Sequence, residues 1–367
     1  MDYGLGLLNY YGCWDDVAFA EQHGFQTAGF VESPLLAGDP FVCLGLAAQA
    51  TSHVRLGTFL SIPGLRDATT LAGGIATVNR LAPGRVFLAA GTGYTARDTF
   101  GLGPVAAERV RDTALTIRGL LAGEEVEHTI GKATRAIRFR HEVRNGCVDT
   151  EHPVPIYIAG DGPKALRAAG EAGDGLIVTL KNADAMGNAP EVLQGAIAQV
   201  STIADEAGRS FENGYVMWSS AICVLEPGES AVSPRALDHI GAACMMAFHS
   251  YACHPEISDF LPPPIRDRIE IYERNVLSRF PRETRYQEVH AGHLAHMLEG
   301  EAEVLTEDIV RMTSLTGTAT EIADQLRRLE AAGLSNMTFW VPPHLTRSVV
   351  RDVEEQIMPL MRQAAAA

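Results

Sequence analysis

The stretch VPIYIAGDGPKA, residues 154–165, combines an apolar run, a glycine-containing turn and the start of a helix. Residues 154–158 are typical of a buried strand, and Pro163 stands near the first helical position, where proline is favoured. Glycines let the backbone approach a ligand, and the free N–H groups of a helix N-terminus attract phosphate. An ordinary strand-to-helix turn explains the segment equally well. Neither Walker A nor GxGxxG spacing is present, so conventional ATP and NAD sites are not indicated.

The same alternation of strand and helix extends in both directions. Strands are predicted at 3–8, 27–31, 54–60, 85–90, 154–158, 175–178, 215–224 and 336–341. Helices are predicted at 14–23, 39–52, 68–80, 104–122, 163–172, 190–207 and 346–363, with short strands in the excursion 125–150. Strands separated by helices imply right-handed βαβ units. Eight of them favour a (β/α)8 TIM barrel, in the α/β class, over an open doubly wound sheet, although periodicity alone leaves both open.

Residues 229–335 are too long for a single crossover. They contain helical stretches, the break at Leu261–Pro264 and a His-rich piece at 289–296. The prediction is therefore one domain over residues 1–367, with a helical insertion at 229–335 before the last strand. Because barrel active sites lie on the C-terminal face, the insertion is expected to act as a substrate lid.

Composition excludes several classes of protein. The 367 residues carry a formal charge of −15 and are 46% hydrophobic, which suits a globular protein and disfavours binding to nucleic acid or an anionic membrane. No apolar run approaches the roughly 20 residues of a membrane span, and no signal peptide is visible. The six cysteines form no CxxC pair and resemble reduced thiols. We therefore expect a soluble, cytoplasmic enzyme that acts on a small molecule.

Two groups of possible metal ligands were considered. His290, His293 and His296 do not share one helix face, and no nearby carboxylate completes a facial triad. The set at 244–254, with two cysteines and two histidines, does not have zinc-finger spacing. The sequence therefore predicts no metal, and exposed or substrate-facing histidines instead.

Two other predicted strands end in segments that suit a ligand. Gly91, Thr92 and Gly93 follow the strand at 85–90, and residues 56–63 pass from strand to loop through apolar side chains. In a barrel these ends lie on the same face as the turn at 159–163. Together they would hold a flat ring and a phosphorylated tail.

Several motifs, in this order and spacing, resemble the bacterial luciferase-like flavin monooxygenase superfamily. They are TSHVRLGT at 51–58, LAPGRV at 81–86, GTG at 91–93, PIYIAGDGP at 155–163, AGDG at 172–175, GTATEIA at 317–323 and AGL at 332–334. The similarity is greatest to the branch with methylenetetrahydromethanopterin reductase and the deazaflavin-dependent dehydrogenases. It is weakest from 229 to 285.

The resemblance implies a TIM barrel that binds reduced FMN or coenzyme F(420) at the C-terminal ends of the strands, usually as a homodimer. Phe59 and Leu60 match the family's non-prolyl cis peptide, which forms a bulge behind the isoalloxazine. The other residues implied in cofactor binding are Ile62, Gly91, Thr92 and Gly93 near the ring and ribityl chain, and Ala159, Gly160, Asp161, Gly162 and Pro163 in the phosphate turn, assisted by Thr179 and Lys181. The Gly-Pro-Lys form of that turn favours F(420).

The chain departs from the family at the expected acid/base pair. Deazaflavin-dependent sugar and alcohol dehydrogenases carry a His after the second strand and a Glu after Gly-Thr-Gly, whereas this chain has Glu32-Ser33 and Tyr94. Glu32 is the candidate general acid, provided that burial raises its pKa, and Tyr94 is a candidate hydrogen-bond donor. A loop or capping carboxylate and a pocket-wall tyrosine are the alternatives. Arg66 is expected to meet an anionic cofactor tail or substrate.

The resemblance therefore implies an oxidoreductase that uses F(420) or reduced FMN to transfer hydride to, or to oxygenate, a small organic substrate. Loss of the usual pair disfavours alcohol or sugar-phosphate dehydrogenation. It favours reduction of a C=N or C=C bond, or oxygenation, because the cofactor carries the hard step. The alternatives are an FMNH2-dependent monooxygenase with a separate flavin reductase as partner, and a non-catalytic flavin-binding homologue.

Overall fold

Short runs of mostly buried residues form the barrel strands of the computed structural model, which describes residues 1–140, 146, 148–179 and 188–365. In chain order the strands are β1 (Asp2–Leu7), β2 (Thr27–Phe30), β3 (Arg55–Thr58), β4 (Val86–Ala90), β5 (Val126–Ile130), β6 (Ala133–Ile137), β7 (Ile156–Ala159), β8 (Gly175–Val178), β9 (Tyr215–Val224), β10 (Leu315–Gly317) and β11 (Asn336–Trp340). Eight parallel strands, all but β5, β6 and β10, form a closed barrel, in which β11 pairs with both β1 and β9. The predicted TIM barrel is confirmed.

The helices lie around and above this barrel. They are α1 (Cys13–Gln22), α2 (Pro40–Ala50), α3 (Ala68–Leu81), α4 (Tyr94–Asp98), α5 (Ala107–Leu121), α6 (Pro163–Ala172), α7 (Ala189–Glu206), α8 (Pro234–Cys244), α9 (Met246–Cys253), α10 (Pro263–Arg266), α11 (Ile269–Asn275), α12 (Arg285–Glu288), α13 (Glu307–Thr313), α14 (Ala319–Ala331), α15 (Thr346–Asp352) and α16 (Met358–Ala365). The side chains of Asp39, Asp67 and Thr318 cap α2, α3 and α14, in the positions that such caps favour. Among the described helices, none is long and apolar enough to span a bilayer.

Three details differ from the predicted elements. The short helix α4 lies before the predicted helix at 104–122, and the predicted helix at 346–363 contains a π-helical turn at Val353–Ile357. Strand β10 pairs with the C-terminal part of β9, outside the closed barrel. The expected short strands within 125–150 are present as the antiparallel pair β5–β6.

The barrel encloses a small aromatic core. The rings of Phe87 and Tyr157 stack with centroids 5.3 Å apart, and those of Tyr157 and Tyr215 are 5.4 Å apart. Phe59 and Met217 belong to the same cluster. A larger apolar layer separates the strands from the outer helices. Each fully buried side chain of this size contributes about 1.5–3 kcal/mol, so these two layers hold the strand ends in place.

The segment after β9 has a hydrophobic core of its own, which includes Phe248, Tyr272 and Leu277. This core also contains Leu8 and Val31, which follow β1 and β2. Helices α8 to α13 therefore pack onto the C-terminal end of the barrel. We call them the segment above the barrel. The last part of the predicted insertion is different, because α14 contacts α7 and α16 in the outer ring.

Candidate active site

The ends of β3, β4 and β7 meet at the mouth of the barrel. A Cβ atom on Gly91 would lie 2.5 Å from Leu60 Cδ1 and 3.6 Å from Ala159 Cβ. Gly91 also donates its N–H to the carbonyl of Ser61, at 3.1 Å. A Cβ atom here would require the Leu60 side chain to shift, so the three strand ends approach closely.

The residues beside this contact are equally restricted. The Phe59–Leu60 peptide bond is cis, as the resemblance implies. Gly93 has a φ of 78°, and a Cβ there would lie 2.3 Å from Cγ2 of Ile62. A larger residue would therefore displace Ile62. Thr92 is half-buried between the two glycines.

Two aromatic residues line the interior below this mouth. The Phe59 ring is 3% exposed and lies 5.4 Å from the Trp340 ring, tilted by 54°. Trp340 is the last residue of β11, and its ring lies against Gly6 of β1. We did not predict a role for Trp340. The feature of the sequence that could have identified it is an aromatic residue close to the end of the last predicted strand.

The turn at 160–163 joins β7 to α6. Asp161 accepts hydrogen bonds from the backbone N–H of Thr179, at 2.9 Å, and from the Thr179 hydroxyl. This contact fixes the turn to the end of β8, so both residues position the turn. Gly162 caps α6 without a side-chain hydrogen bond, and residues 162–164 are exposed. The N-terminus of α6 is therefore open to an anion. Lys181 lies outside the described residues.

Glu32 is 4% exposed and stands in the loop after β2. Its carboxylate accepts the backbone N–H of Ile62 at 2.8 Å and pairs with Arg66. Burial raises the pKa of Glu32, against the opposing effects of the Ile62 N–H and the Arg66 charge. A carboxyl group of this kind can hold or release a proton closer to neutral pH.

Arg66 is paired with carboxylates, which is the alternative to a contact with an anionic tail. Its guanidinium group pairs with both Glu32 and Asp39, and its Cζ atom lies 5.2 Å from the centroid of the Phe41 ring. The expected contact with an anionic tail would compete with these two carboxylates. Arg66 therefore positions Glu32 in this structure.

Tyr94 begins α4 and is 46% exposed. Its ring is perpendicular to that of His254, with centroids 6.4 Å apart. His254 Nε2 in turn lies 2.7 Å from Oδ1 of the buried Asp98. His254 and Asp98 thus join the segment above the barrel to the site. The sequence carried no signal for this pair, because the two residues are 156 positions apart.

The three histidines of the His-rich piece, His290, His293 and His296, do not form one cluster in the structure. His296 is exposed, whereas His290 is 1% exposed rather than solvent-facing. Burial lowers the pKa of His290 to about 3. Its ring neighbours are His249 and His293, with centroids 5.6 and 5.7 Å away.

A cleft of about 420 Å³ opens beside the site at the ends of β1 and β2. Residues 8–10 and 34–38 line it, and Ala295 closes one side from the segment above the barrel. Pro343 completes the lining. The cleft therefore lies between the ends of β1 and β2 and the segment above the barrel.

The chain is similar in sequence and in fold to known proteins. A family model described as luciferase-like monooxygenase matches residues 15–336. A 5,10-methylenetetrahydromethanopterin reductase from Methanolobus tindarius is 29% identical over 194 residues, which are 52% of this chain and 54% of the relative. An F(420)-dependent glucose-6-phosphate dehydrogenase from Beutenbergia cavernae is 39% identical over 145 residues, or 37% of this chain and 40% of the relative. The chain thus spans about half, or less, of the length of these relatives.

One solved structure illustrates the similarity of fold. The coenzyme F(420)-dependent tetrahydromethanopterin reductase from Methanopyrus kandleri superposes with a TM-score of 0.70 at 20% identity. The superposition covers 98% of both chains. This likeness confirms the barrel, including the segment above it.

Proposed function

Because the chain belongs to the luciferase-like monooxygenase family, we propose that it is an oxidoreductase that binds coenzyme F(420) or reduced FMN at the mouth of the barrel. It would transfer hydride to, or oxygenate, a small organic substrate. The observation that carries this proposal is the convergence of Leu60, Gly91 and Ala159 beside the open N-terminus of α6.

These residues fit a flat ring with a phosphorylated chain. Gly91 and Gly93 keep the mouth free of side chains, and Leu60 and Ala159 offer apolar contacts. The exposed N–H groups at the start of α6 suit a phosphate, and Asp161 keeps the turn in place through Thr179. When bound, the cofactor supplies hydride transfer or oxygen activation.

The protein's own groups would handle the proton and exclude water. Glu32 is the proposed proton donor, because burial raises its pKa and Arg66 fixes its orientation. Tyr94 is the proposed hydrogen-bond donor to the substrate, on the side of His254. The segment formed by α8 to α13 is the proposed lid, since it shares its core with the ends of β1 and β2.

Two observations favour F(420) over FMN. The turn has the Gly-Pro-Lys form, and the relatives and the superposed structure include F(420)-dependent enzymes by name. The FMN alternative would use a separate flavin reductase and would consume oxygen. A non-catalytic homologue would bind the cofactor without turnover.

The test is a parallel fluorescence titration of the purified protein with F(420) and FMN, each oxidised and reduced. We expect micromolar or tighter binding of F(420) and weaker binding of FMN. Oxygen uptake with reduced FMN would instead support the monooxygenase. Folded protein that binds neither cofactor would overturn the proposal.

We also propose a homodimer. Val42 and Leu46 of α2 are 63% and 41% exposed, and Leu81 at the end of the adjacent α3 is 43% exposed. Apolar side chains grouped in this way are typical of interfaces. Light scattering should give twice the mass of the chain, and a monomer at micromolar concentration would contradict the proposal.

A further inference from the structure

Three histidines from two separate parts of the chain meet in the segment above the barrel. His249 lies in α9, while His290 and His293 lie in the turn that follows α12. One ligand atom from each ring lies within 4.8 Å of the others. His249 and His290 are each 1% exposed, and His293 is half-buried.

The local backbone is shaped to bring these rings together. A Cβ atom on Gly292 would lie 2.1 Å from the carbonyl oxygen of His296. The chain can therefore make this tight turn only with glycine at that position. The turn places His290 and His293 on the same side, towards α9, with ring centroids 5.7 Å apart.

The Nε2 atom of each buried ring, in His249 and in His290, already has a partner. His249 Nε2 lies 2.7 Å from Oε1 of the fully buried Glu301, whose other oxygen accepts the Leu298 N–H at 2.7 Å. His290 Nε2 lies 3.5 Å from Cys253 Sγ and 3.9 Å from Asp98 Oδ2. Histidines that bind metal usually have a carboxylate on the nitrogen that does not bind it.

The Nδ1 atoms of the two buried rings are the unexplained feature. Nδ1 of His249 and Nδ1 of His290 are buried and have no hydrogen-bond partner among the residues the structure describes. A buried polar atom without a partner costs about 1–3 kcal/mol, and two in one cluster are not accounted for by packing alone. A cation that accepts both lone pairs removes this cost.

We propose that His249, His290 and His293 bind one divalent transition-metal ion, with Zn²⁺ as the best fit. Three neutral imidazoles suit Zn²⁺, with Zn–N bonds of about 2.0–2.1 Å and a fourth position for water. Tetrahedral geometry needs nitrogen atoms roughly 3.3 Å apart, so the rings would close by up to about 1.5 Å. The ion would fasten α9 to the turn at 290–293, close to Asp98 and His254 beside Tyr94.

This site is independent of the proposed cofactor, so its test needs no substrate. Purified full-length protein is stripped with a chelator, dialysed, and titrated with Zn²⁺ by calorimetry and with Co²⁺ by its visible d–d absorption. We expect one equivalent to bind with a micromolar or lower Kd and the intense bands of tetrahedral Co²⁺. We also expect an increase in the melting temperature, since the ion binds only the folded protein.

Matched variants separate this site from adventitious binding. His293→Gln should abolish stoichiometric binding, whereas His296→Gln, at an exposed position of the same turn, should leave it intact. Glu301→Gln should weaken binding by about 10–100-fold, as expected for a carboxylate that orients a ligand. Equal binding by the His293 and His296 variants, or no binding by folded wild-type protein, would overturn the proposal.

Discussion

Ile62 connects the two candidate catalytic residues. Its backbone N–H binds the carboxylate of Glu32, and its side chain packs against Gly93, which precedes Tyr94. A change that moves Ile62 would therefore disturb both sides of the site at once.

Replacing Gly93 by Ala should weaken cofactor binding. Gly93 has a φ of 78°, and the new methyl group would be forced against Ile62. The left-handed conformation alone costs about 1–2 kcal/mol for a residue with a side chain. We expect the cofactor Kd to rise at least about tenfold, which corresponds to about 1.4 kcal/mol, in a fluorescence titration.

Gly84→Ala is the matched control. Gly84 has a φ of 70°, but a Cβ there would meet nothing within 4 Å. Both variants should lose the stability that a left-handed conformation costs a residue with a side chain, and Gly93→Ala should lose more because its methyl group also meets Ile62. Only Gly93→Ala should lose affinity for the cofactor. Equal Kd values for the two variants would show that Gly93 plays no part in the site.

Glu32→Gln should change how stability depends on pH. Burial raises the folded-state pKa of Glu32 above its ordinary value of 4.5. The folded state thus holds this proton more tightly than the unfolded state, and the wild type loses stability as pH rises through that range. Gln does not titrate, so urea unfolding should show the variant gaining stability relative to the wild type as the pH rises above about 4.5. A constant difference across this range would mean that the pKa of Glu32 is not raised.

The residues of the site differ in how far sequence could identify them. Gly91 and Gly93 were predictable, because a strand that ends in glycines is a local pattern. The pairing of Glu32 with Arg66 joins positions 34 residues apart, and the contact of His249 with Glu301 joins positions 52 apart. Such contacts depend on how the elements pack, which no local pattern encodes.

Among the elements, the barrel strands were predictable because each is a short apolar run bounded by turns. Strand β10 was not, since its three residues are too few to show a period. Helix α14 was included in the predicted insertion, although its capping box of Thr318 and Glu321 marks an ordinary helix start. The resemblance, by contrast, located the cis peptide between Phe59 and Leu60.

The junction between β9 and α8 should be sensitive to acid through Glu229. Hydrogen bonds from Arg235 and Ser233 lower the pKa of Glu229 to about 2, and Arg235 also donates to the Val224 carbonyl at 2.9 Å. A lowered pKa adds stability above about pH 4.5 that is lost as pH falls towards 2. Because the Arg235 side chain is 38% exposed, solvent screening limits this contribution to at most about 1 kcal/mol.

Glu229→Gln should therefore lose up to about 1 kcal/mol in the free energy of unfolding, measured with urea at neutral pH. The difference in the free energy of unfolding between the variant and the wild type should narrow as pH falls below about 4.5. Glu226→Gln is a control at an exposed position in the same loop. A difference in the free energy of unfolding that stays the same down to about pH 3 would show that the Glu229–Arg235 pair does not stabilise the protein.

Helix α11 contains a buried hydroxyl that offers a stabilising substitution. Tyr272 is fully buried, and its hydroxyl has no hydrogen-bond partner within the described part of the chain. Its ring packs 5.3 Å from that of Phe248. Tyr272→Phe keeps the ring and removes the unpaired group, so we expect a gain of roughly 1 kcal/mol in the free energy of unfolding. A loss of similar size would reveal a hydrogen bond in solution.

At the scale of the whole molecule, the charge of −15 opposes an anionic cofactor, so binding must depend on local groups. The exposed start of α6 provides them, because backbone N–H groups attract an anion without a net charge. The acidic surface and a phosphate site are therefore compatible. The global charge affects the rate at which the cofactor encounters the protein, and the turn at the start of α6 determines how its phosphate is bound.

The segment above the barrel and the barrel itself should unfold together, because Leu8 and Val31 belong to the same apolar cluster as Leu277. Leu277 is fully buried, so Leu277→Ala should cost about 2–5 kcal/mol. The buried Leu44 of α2 gives a matched change in the barrel layer, and Leu115, 42% exposed on α5, gives a surface control. In calorimetry, Leu277→Ala and Leu44→Ala should each lower the temperature of a single unfolding transition, while Leu115→Ala should leave that temperature nearly unchanged. A separate early transition in Leu277→Ala alone would instead mean that α8 to α13 form an independent unit, and a lid of that kind could open without disturbing the barrel.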